Sequence, residues 1–186
     1  MLKLKVQDFH SKPRVVFLHG WGVNNGVFEG LLPELQNDYA IRFIDLPGFG
    51  NNRHIDISEM PFEQFSGLIA ENIPDEATLV GWSLGGLVAH QIAQMKPVQK
   101  MILICTSPYF MEQASEPDKN VEAQQNNGTD WFGIKTSVLE RFQIQLSEDY
   151  RKTLERFLAI QSLGSETAKK DLKQIRDCVT QYGQPG

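Results

Sequence analysis

The stretch Ala77-Thr78-Leu79-Val80-Gly81-Trp82-Ser83-Leu84-Gly85-Gly86 constrains this chain more than any other. Ala77 to Gly81 is a short uncharged run, the signature of a strand buried on both faces of a parallel sheet. Helix-compatible sequence, Leu84 to Met95, follows with no loop between. A strand that turns straight into a helix needs small residues on both sides of the turn, and Gly81, Gly85 and Gly86 supply them. Ser83 then stands at the apex. In this setting the pattern G-x-S-x-G holds a serine on a sharp, strained turn with its oxygen exposed. The N–H of Leu84, at the helix start, can point at an oxyanion, and the helix dipole favours the charge there. The alternative is a glycine-rich turn carrying an idle serine. The strand-to-helix context favours the nucleophile.

The rest of the chain repeats the alternation. Arg14 to Leu18, Ala40 to Asp45 and Met101 to Cys105 read as further strands, and Val27 to Leu35 and Pro61 to Asn72 as helices. Such alternation predicts an α/β fold, a mostly parallel sheet with helices on both faces. Residues 1–111 form this core. The segment 112–130 is rich in Glu, Asn and Gln and has no aromatic residue, so a flexible loop is expected there. Residues 131–182 read as three helices: one with Leu139, Phe142 and Leu146 on a stripe, one with Tyr150, Leu154, Phe157 and Leu158, and one opened by Ser165.

Bulk properties exclude several classes. The chain has 186 residues, 41% hydrophobic, enough for one sizeable core. A net charge of −5 argues against a nucleic-acid coat. Two widely spaced cysteines make neither a disulfide framework nor a zinc site, and a cytoplasmic location is expected. No apolar run suggests a signal peptide or a membrane span, and neither a metal nor an organic cofactor is implied.

His19-Gly20-Trp21-Gly22 ends the strand at Leu18 and opens a glycine-rich loop. Such a loop donates a second oxyanion N–H, here from Trp21. His19 is expected to brace the loop, because it belongs to the loop motif and precedes the serine. Trp21 could also be plain core. Taken with Asp45-Leu46-Pro47-Gly48-Phe49-Gly50 and Gly81 to Ala89, these residues resemble the α/β-hydrolase superfamily. The helical strings Phe142 to Ser147, Glu155 to Gln161 and Gly164 to Ala168, with Trp131 to Lys135, are similar to the lid of carboxylesterases of biotin synthesis, which hydrolyse the methyl ester of pimeloyl-acyl-carrier protein.

That resemblance implies Ser83 as nucleophile, with Trp21 and Leu84 as oxyanion donors and substrate contacts. It also implies a lid face, Phe142, Gln143, Ile144, Gln145 and Leu146, against the acyl chain. An ordinary amphipathic helix packing on the body fits that segment equally. In the family an acid and a histidine follow the lid on two more strands, a further ~60 residues by ordinary element lengths. This sequence contains no such segment after its lid. The expected fold therefore lacks the last strands, and Met101 to Cys105 is expected at a sheet edge. His90 cannot replace the missing base, since it lies about 10 Å further along the same helix.

Residues Lys135 to Arg176 hold nine Lys or Arg against six Asp or Glu, leaving −8 for the remainder. A basic lid suits an acidic acyl-carrier protein, with Arg141, Arg151, Lys152 and Arg156 as candidate contacts. A solvated helical surface is the alternative for each of them. Three functions stay open: the carrier methyl-ester esterase, a general short-chain esterase or thioesterase, and a non-catalytic acyl- or carrier-binding fragment. No nucleic-acid or membrane partner is expected.

Overall fold

A computed structural model describes residues 6–9, 12–107, 110–112 and 133–180. Five strands form one sheet in the order β1-β3-β2-β4-β5: β1 (Val6–Phe9), β2 (Arg14–Leu18), β3 (Ala40–Ile44), β4 (Thr78–Trp82) and β5 (Lys100–Ile104). β2 to β5 are mutually parallel, and β1 runs antiparallel along β3. The four parallel strands lie where the apolar runs predict them. β1 was not anticipated from the sequence; its Val6-Gln7-Asp8-Phe9 is polar at the centre and gives no apolar run.

The uncharged runs are explained by burial on both faces. Along β2, Val16 and Leu18 enter one core with Ile44, Leu46, Phe65, Ile69, Leu79, Val88 and Ile92. Phe17, between them, enters the opposite core with Phe28, Ile41, Phe43 and Val80. The first core lies under α2 (Phe62–Ala70) and α3 (Leu84–Met95). The second lies under the segment expected to be one helix over Val27 to Leu35. That segment forms instead a 3₁₀ turn, Asn25–Leu31, running into the short α1 (Leu32–Leu35). Asn24 caps the 3₁₀ turn through its side chain, and Pro33 sits in the first turn of α1, where a missing N–H does no harm.

Three helices form an outer layer: α4 (Thr136–Glu148), α5 (Tyr150–Gln161) and α6 (Ala168–Thr180). The tight turn between α4 and α5 is fixed by Asp149, whose side chain accepts from the Lys152 N–H at 3.0 Å. Across the same turn the Thr153 hydroxyl donates to the Gln145 carbonyl at 2.9 Å. Leu154 and Leu158 of α5 are buried against Val23, Trp21 and Trp82, so the layer sits on the loops at the C-terminal ends of β2 and β4. In a parallel sheet that end is where sites are built. Of the expected loop 112–130, all but Glu112 lies outside the described residues, as do Trp131 and Phe132.

Candidate active site

Ser83 joins β4 to α3 with φ 54° and ψ −116°, a left-handed backbone that a residue with a Cβ rarely adopts. Three contacts hold it there. Its N–H donates to the Ile104 carbonyl of β5 at 2.9 Å, and its carbonyl accepts from Gly86 at 2.9 Å and Leu87 at 3.3 Å. The surrounding glycines are required by space. A Cβ on Gly81 would lie 2.5 Å from the Gly85 carbonyl oxygen, and one on Gly85 would strike the Leu18 backbone. Strain of this kind, over-determined by its neighbours, is characteristic of functional turns. Leu84 is the first residue of α3, so its N–H belongs to the helix end that has no intrahelical acceptor.

The loop after β2 lies beside this turn. A Cβ on Gly20 would sit 3.4 Å from Ser83 Cβ and 3.4 Å from the Trp82 ring. His19 fixes the loop. Its Nδ1 donates to the Gly20 carbonyl at 2.8 Å, and its Nε2 accepts from the Leu46 N–H at 2.9 Å. The ring is fully buried and meets Phe49 edge-on at 5.7 Å. Both nitrogens are thus occupied, which agrees with a brace. Behind it Asp45, also fully buried, accepts from the N–H groups of Asn25 at 2.7 Å and Asn51 at 2.8 Å, and from the Asn51 amide at 2.9 Å. The Asp45-to-Gly50 motif is therefore the anchor of the loop frame.

Burial pushes the His19 imidazole below its ordinary value of 6.5; the hydrogen bond to the Gly20 carbonyl and the Asp45 carboxylate act in the opposite sense. The sign of the consequence follows. Below pH 6.5 the unfolded chain takes up the His19 proton and the folded chain resists it, so stability falls as pH falls. Urea unfolding should show a loss between about pH 7.5 and 5.5, at most about 1.4 kcal/mol per pH unit. His19→Gln should flatten that dependence. An unchanged slope in the variant would place the titration elsewhere.

The outer helices bring aromatic side chains onto Trp21. Its ring lies 5.2 Å from Phe142, 5.5 Å from Phe157 and 6.4 Å from Tyr150, all edge-on. Burial raises the Tyr150 hydroxyl to about 12, so it stays protonated. Gly22, at φ 78°, lies under Leu154, whose Cδ1 would be 2.7 Å from a Cβ there. Of the five positions expected to face the acyl chain, Phe142, Gln145 and Leu146 are half-buried, while Gln143 and Ile144 are exposed. Helical geometry explains the split, because five consecutive residues turn through more than one full revolution. Sequence reasoning placed Phe157 and Tyr150 only in a helix stripe; their contact with Trp21 joins segments more than a hundred residues apart, and no local pattern announces it. Arg141, Arg151, Lys152 and Arg156 are all exposed, with Arg151 Nε 3.6 Å from Glu155.

Among the described residues no histidine hydrogen-bonds to Ser83. His19 is committed to its loop, His90 is exposed and pairs with Gln94 at 3.1 Å, and His54 is exposed. His10 lies outside the described residues.

Comparison with known proteins decides the family. A family model described as alpha/beta hydrolase fold matches residues 13–159. The chain belongs to the α/β-hydrolase fold family. Within that family it is 39% identical over 178 residues to the pimeloyl-[acyl-carrier protein] methyl ester esterase of Pseudoalteromonas atlantica, covering 95% of this chain and 63% of the relative. With the protein of the same name from Aeromonas hydrophila it shares 36% identity over 186 residues, covering 99% and 67%. The chain thus spans about two thirds of the length of such relatives. Among solved structures an esterase from Exiguobacterium antarcticum shares the fold, with a TM-score of 0.72 at 22% identity, covering 94% of this chain and 64% of that one.

Proposed function

We propose that this chain carries the nucleophile half of a cytoplasmic serine carboxylesterase acting on the methyl ester of pimeloyl-acyl-carrier protein in biotin synthesis. The observation that carries the reading is the strained Ser83 turn, set between the start of α3 and the Gly20–Trp21 loop. In this reading the Ser83 oxygen attacks the ester carbonyl. The N–H groups of Trp21 and Leu84 hold the resulting oxyanion. The methoxide leaves as methanol once protonated, and water then releases the acyl group from Ser83 as the free acid. Trp21, Phe142 and Leu146 line the acyl path, with Gln143, Ile144 and Gln145 contributing when substrate enters. A general base must come within about 3 Å of the serine proton. It is not among the described residues, so the reaction needs polypeptide beyond them.

The substrate follows from the names of the relatives and from charge. Arg141, Arg151, Lys152 and Arg156 lie exposed on a helical layer of net positive charge, and an acidic carrier is attracted to such a face. Reversing two of them, Arg151→Glu with Arg156→Glu, should weaken carrier binding at least about tenfold, and wild-type affinity should fall as salt rises. Calorimetric titration with the acyl-carrier protein checks both. Affinity indifferent to both changes would remove the carrier from the reading.

The decisive test of turnover adds, in trans or as a fusion, the unmatched third of the Pseudoalteromonas relative. The carrier methyl ester should then be hydrolysed in a Ser83-dependent manner, faster than p-nitrophenyl acetate. A preference for the short ester would favour a general esterase or thioesterase. Binding without any turnover would favour an acyl- or carrier-binding protein.

A further inference from the structure

Helix α5 is two-sided. Tyr150, Thr153, Leu154, Phe157 and Leu158 are buried or half-buried, whereas Arg151, Lys152, Glu155 and Arg156 are exposed. Each set recurs every three or four residues, so the two occupy opposite faces. The inner face packs against the sheet body at Trp21, Val23, Val27 and Trp82. Trp21 and Val23 belong to the loop after β2, and Trp82 directly precedes Ser83. The contacts follow that loop residue by residue. The Trp21 ring meets Phe157 at 5.5 Å and Tyr150 at 6.4 Å. Leu154 fills the space over Gly22, with Cδ1 2.7 Å from where a Cβ would stand. Val23 is buried among Leu154 and Leu158. His19 pins the start of the same loop from within the body.

We propose, on the reading that the Trp21 N–H holds the oxyanion and the carrier docks on Arg151, Lys152 and Arg156, that α5 is a positioning helix: Leu154, Phe157 and Leu158 set the loop Trp21 to Val23, and carrier docking on the outer face tightens it. Arg151 adjoins Tyr150 and Arg156 adjoins Phe157, so the charges that meet the carrier and the rings that meet Trp21 share one helix of 12 residues. A helix is about 10 to 12 Å across with its side chains, which is all that separates a carrier carboxylate from the loop. Close-packed side chains transmit a displacement instead of absorbing it. A movement of α5 against the body therefore moves residues 21 to 23. Little movement is needed, because a misplacement of about 1 Å at a reacting centre costs on the order of a hundredfold in rate. The site is thus completed as the carrier arrives, in the way closing elements complete other catalytic sites. A free methyl ester meets a looser oxyanion loop, so the carrier-borne ester is favoured in kcat as well as in KM.

Hydrogen exchange on the 186-residue chain, with and without acyl-carrier protein bearing its pantetheine arm, reads this coupling. At saturating carrier the Trp21, Gly22 and Val23 amides should exchange at least about threefold more slowly, with Val16 and Phe17 of β2 unchanged. Phe157→Leu leaves the outer face intact, so it should bind the carrier within about twofold of wild type and yet lose that slowing. Phe157→Tyr keeps the edge-on ring and should retain it. In the chain completed with the unmatched third of the Pseudoalteromonas relative, Phe157→Leu should lower kcat on the carrier methyl ester at least about tenfold and leave KM within about twofold. Phe157→Tyr should restore kcat. A carrier that binds without slowing exchange at residues 21 to 23 overturns the coupling while the carrier reading stands. So does a Phe157→Leu protein with wild-type slowing and kcat. A carrier that does not bind overturns both.

Discussion

The 186-residue chain alone should hydrolyse a p-nitrophenyl ester about 10⁶-fold more slowly than a serine hydrolase with its full triad, because loss of the histidine alone has that effect. In the proposed reading Trp21 and Leu84 supply the oxyanion donors, and among the described residues no histidine hydrogen-bonds to Ser83. Residual rate enhancement from the oxyanion hole and binding, about 10³-fold over water, should remain. Since triad members act as a unit, Ser83→Ala should change that residual rate by less than about tenfold. Initial rates on the two proteins, purified in parallel, check this. Robust turnover abolished by Ser83→Ala would reveal a base in the chain, and His54, exposed and free of the loop frame, would be examined first.

Gly85→Ala should destabilise the fold by about 3 kcal/mol or more, a large part of a domain's total stability. The added methyl would strike the Leu18 carbonyl and lie 2.7 Å from the His19 carbonyl oxygen. Both obstacles are backbone, so no rotamer relieves them. β2 would have to shift against β3 and β4, carrying the Gly20–Trp21 loop away from Ser83. Gly67→Ala is the matched control. It lies inside α2 with nothing within 4 Å of an added Cβ, so it should stabilise by about 0.5 to 1 kcal/mol. Urea midpoints of the two variants should therefore move in opposite directions. A Gly85→Ala protein as stable as wild type would mean that the helix does not press on β2 as described.

The parallel strands were legible because burial on both faces writes uncharged, largely apolar sequence, as in Val15 to Leu18 and Ala77 to Gly81. β1 was not, because a polar, antiparallel outer strand carries no such run. Val27 to Leu35 reads as one helix, yet Gly30 and then Pro33, which suits only a first turn, divide it into a 3₁₀ turn and one α-turn. At the site, the Ser83 turn could be read because its geometry is imposed locally by Gly81 and Gly85. The exposed apolar β5 could be anticipated only from the family resemblance, since its sequence is that of a covered strand. The aromatic cluster of Trp21 with Phe142, Tyr150 and Phe157 depends on how the outer helices dock, which no nearby residue encodes.

Covalent trapping at Ser83 tests the central claim most directly. The chain completed with the unmatched third of its Pseudoalteromonas relative is treated with a fluorophosphonate, and the modified residue is located by peptide mass mapping. The account predicts one adduct, on Ser83, absent in Ser83→Ala and much slower to form without the added segment. An adduct on another residue, or labelling that persists in Ser83→Ala, would contradict the assignment of Ser83 as the nucleophile.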